Sequence, residues 1–408
     1  GLSNLIMFYD ANNIQLSTKV EEVTAENTAE KYEAWGWNVI TINGNDADQI
    51  REALTAAGAE KQRPTLIIGK TLMGKGAVGA NGEDFSNKVS THGQPLTGAG
   101  ASIDKTIENL GGNPQNPFVI FPDVQEFYAK VLEEKRAYAR KKKAEQAAWE
   151  KANPELAVQY HKYMSGETPA IDYKAIAHKA NIATRAASAD VLVELAKQVD
   201  NMIVSSADLS NSDKTDGFIK GGARNLVKGD FSGKFLQAGV CELTMAALCN
   251  GIALHGGIHV ACGTFFVFSD YMKPAFRLSA LMEVPVKYIW SHDAFRVGED
   301  GPTHQPIEHE AQLRLMEKLQ NHHGKMSMLA LRPADAAETS VAWKMAMENT
   351  HTPTALVLSR QNINDLPSNG DRYDEALQAE KGAYIVVKNG DDPDVILIAS
   401  GSEVATLS

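Results

Sequence analysis

The chain has 408 residues, enough for two or three domains with a sizeable core. Hydrophobic residues make up 43% and charged residues 22%, ordinary for a globular protein, which excludes disordered, collagen-like and disulfide-scaffold classes. With 40 Lys and Arg against 51 Asp and Glu the formal charge is -11, a field that repels polyanions, so no nucleic-acid partner is expected.

Strands are expected to alternate with helices, the pattern of an α/β protein with largely parallel sheets. Residues 5–9 form a first apolar run ending in the turn Asp10-Ala11-Asn12-Asn13. A second strand covers 38–43 and is closed by Gly44. Asp46 then caps a helix, with Gln49 at the capping-box position and Ile50 and Leu54 on one face. Residues 63–68 make a third strand leading into the glycine-rich loop 69–76, which nearly matches the phosphate-cradling loop of nucleotide kinases. Gly76 stands where that loop needs a magnesium-ligating hydroxyl, so a flexible loop beside a site is the better reading.

Val124, Phe127, Tyr128 and Val131 open a long helix that becomes charged at Arg140-Lys141-Lys142-Lys143 and ends near Asn153-Pro154. Its acidic residues interleave with the basic ones, which fits a solvated linker. The alternation resumes from about Ala175, with strands at 202–204, 284–290 and 355–358. Residues 382–387 begin a third α/β segment, and 394–403 read as a strand and a turn opening a helix. The chain starts Gly1-Leu2-Ser3-Asn4 without an initiator Met and stops at Ser408 inside that helix, so a fragment of a longer protein is expected. The boundaries that follow are 1–150, 151–372 and 373–408.

The longest apolar stretch, near Val240 to Phe268, is interrupted by Glu242, Asn250, His255 and His259, so neither a membrane span nor a membrane partner is expected. Cys241, Cys249 and Cys262 lie in it without metal or redox spacing and read as buried thiols of a reducing compartment, the cytoplasm.

Three segments carry chemistry. Asn12 follows a strand end, where a side-chain oxygen and a backbone carbonyl suit a hard cation such as magnesium. Ser291-His292-Asp293 leads into Gly298-Glu299-Asp300-Gly301-Pro302-Thr303-His304-Gln305-Pro306, a rigid polar loop. Zinc is disfavoured there, because His304 and His309 lack H-E-x-x-H spacing and no third ligand is evident. Phe265, Phe268 and Tyr271 recur at helical spacing downstream of Glu242, a lone acid in an apolar context that needs a partner.

Together with Ser206-Ala207-Asp208-Leu209 and Leu358-Ser359-Arg360-Gln361-Asn362, these segments resemble the transketolase family, in its order and over essentially the whole chain. The resemblance implies a thiamine diphosphate-binding α/β fold: parallel sheets flanked by helices in two such domains, plus the start of a third α/β domain. The first would be the C-terminal half of the pyrophosphate-binding domain with its linker helix, the second the pyrimidine-binding domain. It implies thiamine diphosphate and Mg2+, Ca2+ or another divalent cation, held in a homodimer with the site at the interface. Asn12 and the Ile14 carbonyl would ligate the metal, and Leu16 and Leu209 would flank the thiazolium. Asp208 and His92 would belong to the cofactor site, His92 near the diphosphate. Glu242 would hydrogen-bond the aminopyrimidine, enclosed by Phe265, Phe268 and Tyr271. Arg185, Ser212, His292 and Arg360 would hold the substrate phosphate, and His92, His304 and Asp300 the sugar hydroxyls and reacting oxygens. The implied reaction moves a two-carbon ketol unit between sugar phosphates of the pentose phosphate pathway, through a dihydroxyethyl-thiamine intermediate.

Some positions depart from the family pattern. Ser205 replaces a Gly, Asn211-Ser212-Asp213 replaces Pro-Ser-Asn, Cys241 stands where an Arg is common, and Arg296 where a Gly is. In the family the Gly-Asp-Gly that supplies a metal aspartate, several histidines and the glutamates linking two active sites precede the segment at Leu5. These 408 residues alone are therefore not expected to turn over. A dihydroxyacetone synthase, which would accept formaldehyde, a deoxyxylulose-phosphate synthase relative and a non-catalytic binding subunit are the alternatives; the segment 301–306 with Arg185 and Arg360 favours transketolase over the second.

Overall fold

The computed structural model describes residues 2–408. They fall into two compact units, Gly1–Glu145 and Gln146–Ser408.

The first unit is built on three parallel strands, β1 (Ile6–Ala11), β2 (Asn38–Asn43) and β3 (Thr65–Lys70), in the order β1-β3-β2. Central β3 buries its first five residues, which is why it reads as an unbroken apolar run. Edge strand β1 leaves Ile6 to Tyr9 each more than a third exposed. Helix α1 (Thr28–Ala34) precedes β2, and α2 (Ala47–Ala59) joins β2 to β3. Asp46 caps α2 as expected, its Oδ1 accepting from the amides of Asp48 at 3.0 Å and Gln49 at 3.2 Å. Gln49 does not close a capping box: its side chain accepts from the Asn43 amide at 2.9 Å, tying the helix back to the end of β2. The buried face of α2 is Ala53 and Ala57 against Ile67, and Leu54, expected beside Ile50, is 48% exposed. Small alanines let α2 lie close on the sheet, and the bulkier leucine is turned outward.

Helix α3 (Pro122–Ala152) buries none of its residues, so both its charged half and the apolar start at Phe127 and Tyr128 are exposed among the described residues. Helix α4 (Pro154–Met164) follows within the second unit.

That unit has six parallel strands in the order β5-β4-β6-β7-β9-β8: β4 (Met202–Ser206), β5 (Phe235–Gln237), β6 (His259–Phe265), β7 (Lys287–Ser291), β8 (Leu329–Leu331) and β9 (Thr354–Leu358). Helices α5 (Thr184–Gln198) and α9 (Ala336–Glu348) cover one face, α6 (Glu242–His255) and α7 (Ser269–Leu281) the other, and α8 (His309–Lys318) precedes β8. Alternation along the strands feeds the two cores. Ala261, Ile289, Leu356 and Leu358 meet Val191, Leu195 and Trp343 on one side. Val260, Cys262, Tyr288, Trp290 and Val357 meet Met245, Met272 and Phe276 on the other. Cys249 and Cys262 are buried free thiols and Cys241 is half-buried. No helix among the described residues is long and apolar enough to cross a membrane.

The strands expected at 382–387 and within 394–403 do not form; only a short helical turn, Gly401–Glu403, and Val404–Leu407 follow. A strand needs a neighbour for its backbone groups, and here Ile385, Ile396 and Ile398 are 72%, 76% and 88% exposed. The segment is anchored by polar contacts instead. Arg332 reaches the Ser400 carbonyl at 3.1 Å and Glu403 at 2.7 Å. Arg372 bonds Asp335, Glu338 and the Tyr384 hydroxyl. Gly401 lies at φ +59° with Arg332 stacked so close that a Cβ would fall 2.5 Å from its Cγ.

Candidate active site

Ligands in parallel sheets bind beyond the carboxyl ends of the strands, and the second unit gathers its unusual side chains there. Ser206 ends β4 and Ala207 to Leu209 follow it, Glu242 opens α6 after β5, Phe265 ends β6, His292 follows β7 and Arg360 follows β9. The expected helical stripe is a composite. Phe265 ends a strand, Phe268 lies in a tight helical turn and Tyr271 in the first turn of α7. The three rings stack in series, with centroids 5.7 Å and 5.9 Å apart. His292 stacks on Phe265 at 3.6 Å, and His304 stands edge-on to Phe268 at 5.3 Å.

Glu242 is 8% exposed, and its carboxylate has no hydrogen-bonding or ionic partner among the described residues. Cys241, in the position just before it, donates its thiol to the Ala238 carbonyl at 2.9 Å.

The basic residues are positioned by long-range locks. Thr184 and Ser359 bond each other reciprocally, Thr184 N to Ser359 Oγ at 3.0 Å and Ser359 N to Thr184 Oγ1 at 2.7 Å. This ties the start of α5 to the end of β9 and brings Arg185 and Arg360 to one place. Arg185 Nη1 donates to the Ser212 carbonyl at 2.5 Å and to its hydroxyl at 3.3 Å. Arg360 pairs with Glu299 at 2.8 Å and Asp300 at 3.5 Å. Burial lowers the pKa of Arg185, and nearby Arg360 lowers it further. His292, 1% exposed, bonds the Ser291 hydroxyl through Nδ1 at 3.0 Å. Burial first, then Arg185 and Arg360, push its pKa down to about 3, so the ring is neutral. Gly298 allows the approach of this loop: at φ +91°, a Cβ would meet Gln361 Nε2 at 2.7 Å and Arg360 Nη1 at 3.1 Å. Arg296 turns away to the Asn362 carbonyl and Thr406.

Asp208 is exposed in the left-handed region at φ +64°, and Leu209 donates its amide to Ser206 Oγ at 3.2 Å. Next to Ser212, Asp213 is 1% exposed and accepts from Ser206 Oγ at 2.7 Å and from the Thr215 amide and hydroxyl at 2.8 and 2.7 Å. Burial outweighs these bonds and pushes its carboxyl up to about 6.

In the first unit, Asn12 follows β1 and its Oδ1 accepts from the Ile14 amide at 3.0 Å, which turns the chain and leaves the oxygen a second lone pair. Leu16 is 67% exposed and packs on the tight turn at Gly93, whose Cβ would sit 3.3 Å from it. His92 precedes that turn with Nδ1 buried and unpartnered.

The oxygen donors at Asn12 and Ile14 suit a hard divalent cation. The acid of Glu242, at the same sheet end as an aromatic stack, suits a heteroaromatic ring with a basic nitrogen. The unpaired Nδ1 of His92 offers a further polar contact. Parallel sheets flanked by helices, with Glu242 and the aromatic stack at the carboxyl ends of the second unit's strands, fit the class of thiamine diphosphate-binding α/β proteins.

Comparison with known proteins narrows this. Residues 1–169 match the transketolase thiamine diphosphate-binding domain and residues 180–365 the transketolase pyrimidine-binding domain. Transketolase from Geobacillus stearothermophilus is 41% identical over 413 residues, covering 99% of this chain and 58% of that protein. The Bacillus subtilis transketolase is 40% identical over 410 residues with the same coverage. Among solved structures, Pichia stipitis transketolase in complex with sedoheptulose 7-phosphate superposes with a TM-score of 0.86 at 32% identity, over 100% of this chain and 58% of that one. Leishmania mexicana transketolase gives 0.84 at 32%, over 96% and 55%. The chain belongs to the transketolase family and spans about 58% of the length of the curated relatives named here.

Proposed function

We propose that this protein catalyses ketol transfer, the reversible movement of a two-carbon unit from a ketose phosphate to an aldose phosphate in the pentose phosphate pathway. One observation carries the reading: a buried, unpartnered Glu242 opens α6 at the same sheet end as stacked Phe265, Phe268 and Tyr271. Bound thiamine diphosphate would supply an electron sink for the bond that breaks. Glu242 would share its proton with the pyrimidine nitrogen, in a pocket where low dielectric strengthens the bond. Phe265, Phe268 and Tyr271 would fix the ring plane, and Leu16 and Leu209 would shield the thiazolium from water. Asp208 and His92 complete the cofactor contacts, with Asn12 and the Ile14 carbonyl on Mg2+ or a similar divalent cation. Arg185, Ser212, Arg360 and neutral His292 would hold the substrate phosphate through charge-assisted and neutral donors. Asp300, His304 and His92 would orient the sugar hydroxyls and move protons at the reacting oxygens.

We assign residues 1–150 to pyrophosphate binding with the linker helix, 151–372 to pyrimidine binding and 373–408 to the start of a C-terminal domain, in a cytoplasmic homodimer. The test is ketol transfer from xylulose 5-phosphate to ribose 5-phosphate with thiamine diphosphate and Mg2+, on the whole polypeptide its gene encodes and on the 408-residue chain. Turnover is expected from the former and none from the latter alone. Glu242→Gln should lower kcat at least ~100-fold. An unimpaired Glu242→Gln enzyme would overturn the assignment.

A further inference from the structure

His309 opens α8 with its ring buried, 4% exposed, under the Phe266 ring. Its Nε2 lies 3.1 Å from the Val267 carbonyl oxygen and 3.2 Å from Asp270 Oδ2, two atoms that only accept hydrogen bonds. Nε2 therefore carries a hydrogen. In the neutral ring Nδ1 then presents a lone pair, and that atom is buried with no hydrogen-bonding partner. It faces Glu308 Oε2 at 3.9 Å. A buried lone pair facing an exposed carboxylate lacks the cation that both attract.

The surroundings complete a donor set. One atom from each of Asp270, Glu308 and His309 lies within 4.8 Å of the other two. A carbonyl holding the far ring nitrogen, so that the near one is free as a ligand, is the arrangement around metal-bound imidazoles. Neighbouring Glu310 is engaged elsewhere, on Arg332 at 3.2 Å. Two carboxylates would balance a divalent ion, leaving the site neutral.

We propose that Asp270, Glu308 and His309 bind a divalent first-row transition ion, Zn2+ in the first instance, with water completing its shell. The imidazole disfavours Mg2+ and Ca2+, and the carboxylates disfavour Cu(I). The ion joins the first turn of α7 to the first turn of α8 and so braces the Pro302–His304 turn that precedes α8. The sequence hid this site because its third ligand, Asp270, comes from a different helix.

The test is equilibrium dialysis of the chelator-treated 408-residue chain against Zn2+, without thiamine diphosphate and with excess Mg2+ to saturate hard-cation positions. Co2+ serves as the visible spectroscopic probe. One Zn2+ per chain is expected. Asp270→Asn and Glu308→Gln alter exposed side chains, so the fold is retained, and each should weaken uptake at least as much as the ~10- to 100-fold that loss of an outer-shell partner costs. His309→Gln should abolish it. No uptake of Zn2+ or Co2+ by the unaltered chain would overturn the proposal, as would undiminished uptake by the Asp270→Asn, Glu308→Gln double variant, which would locate the ion elsewhere.

Discussion

Replacing Asp213 by Asn should stabilise the protein at neutral pH, and the gain should appear only as pH rises. The carboxyl is 1% exposed, and although it accepts three hydrogen bonds, burial raises its pKa from 3.8 to about 6. In the unfolded chain the group ionises near 3.8, while the folded protein keeps it protonated up to about 6. Any stability the protonated acid contributes is thus fully present below pH 3.8 and lost as pH climbs through the folded value. A shift of this size corresponds to about 3 kcal/mol. Asn keeps the geometry, with its oxygen accepting from Thr215 and its amide donating to Ser206, and it never ionises. The Ser206 hydroxyl then loses its acceptor, a pH-independent cost of about 1 kcal/mol. Urea melts of both chains across pH 4 to 8 should show their stability difference growing by about 2 kcal/mol from pH 4 to pH 6.5 and nearly flat beyond. A pH-independent difference would refute the reasoning.

Lys287 is fully buried with only the Pro285 carbonyl at 2.9 Å, and burial pushes its pKa down to about 8. Lys287→Met should therefore gain about 3 kcal/mol below pH 8, a gain that fades toward pH 10.5 as the unfolded lysine also loses its proton. With its pKa at about 3, His292 should show no imidazole titration by NMR between pH 5 and 8, and its share of stability should be lost as pH falls from 6.5 toward 3. Gly298→Ala, forced to φ +91° against Arg360 and Gln361, should cost about 1–3 kcal/mol in urea melts. Inorganic phosphate at ten times its Kd should stabilise the chain by about 1.4 kcal/mol in thermal melts, and Arg185→Leu should remove the effect.

What could be read from the sequence divides along physical lines. Strands β3, β7 and β9 were legible because both their faces are buried, so their apolar runs carry the signal whatever lies around them. The strands expected near Ile385 and Ile396 failed because pairing depends on a neighbour that a propensity reading does not supply. Leu54 and Gln49 misled because local pattern fixes a helix but not which of its faces docks. The glycine- and proline-rich loop at 298–306 announced itself, as did Glu242 in its apolar setting. Arg185 and Arg360 have no local signature and came only through family likeness. The Thr184–Ser359 lock that brings them together was not singled out at all, since it joins residues remote in sequence.

That lock makes sense of the charges around it. Two guanidinium groups drawn close disfavour one another, and burial of Arg185 adds to the penalty. Arg360 is answered by Glu299 and Asp300, and Arg185, hydrogen-bonded to the neutral oxygens of Ser212, also feels the charges of Asp213 and Asp300. The nearest imidazole, His292, is held neutral and adds no counter-charge or further repulsion. Carboxylates thus answer the guanidinium groups at this end of the sheet, while burial and mutual repulsion still work against Arg185. A bound oxyanion with several acceptor atoms would relieve that repulsion and bond both guanidinium groups at once, which is the reason inorganic phosphate is expected to stabilise the chain.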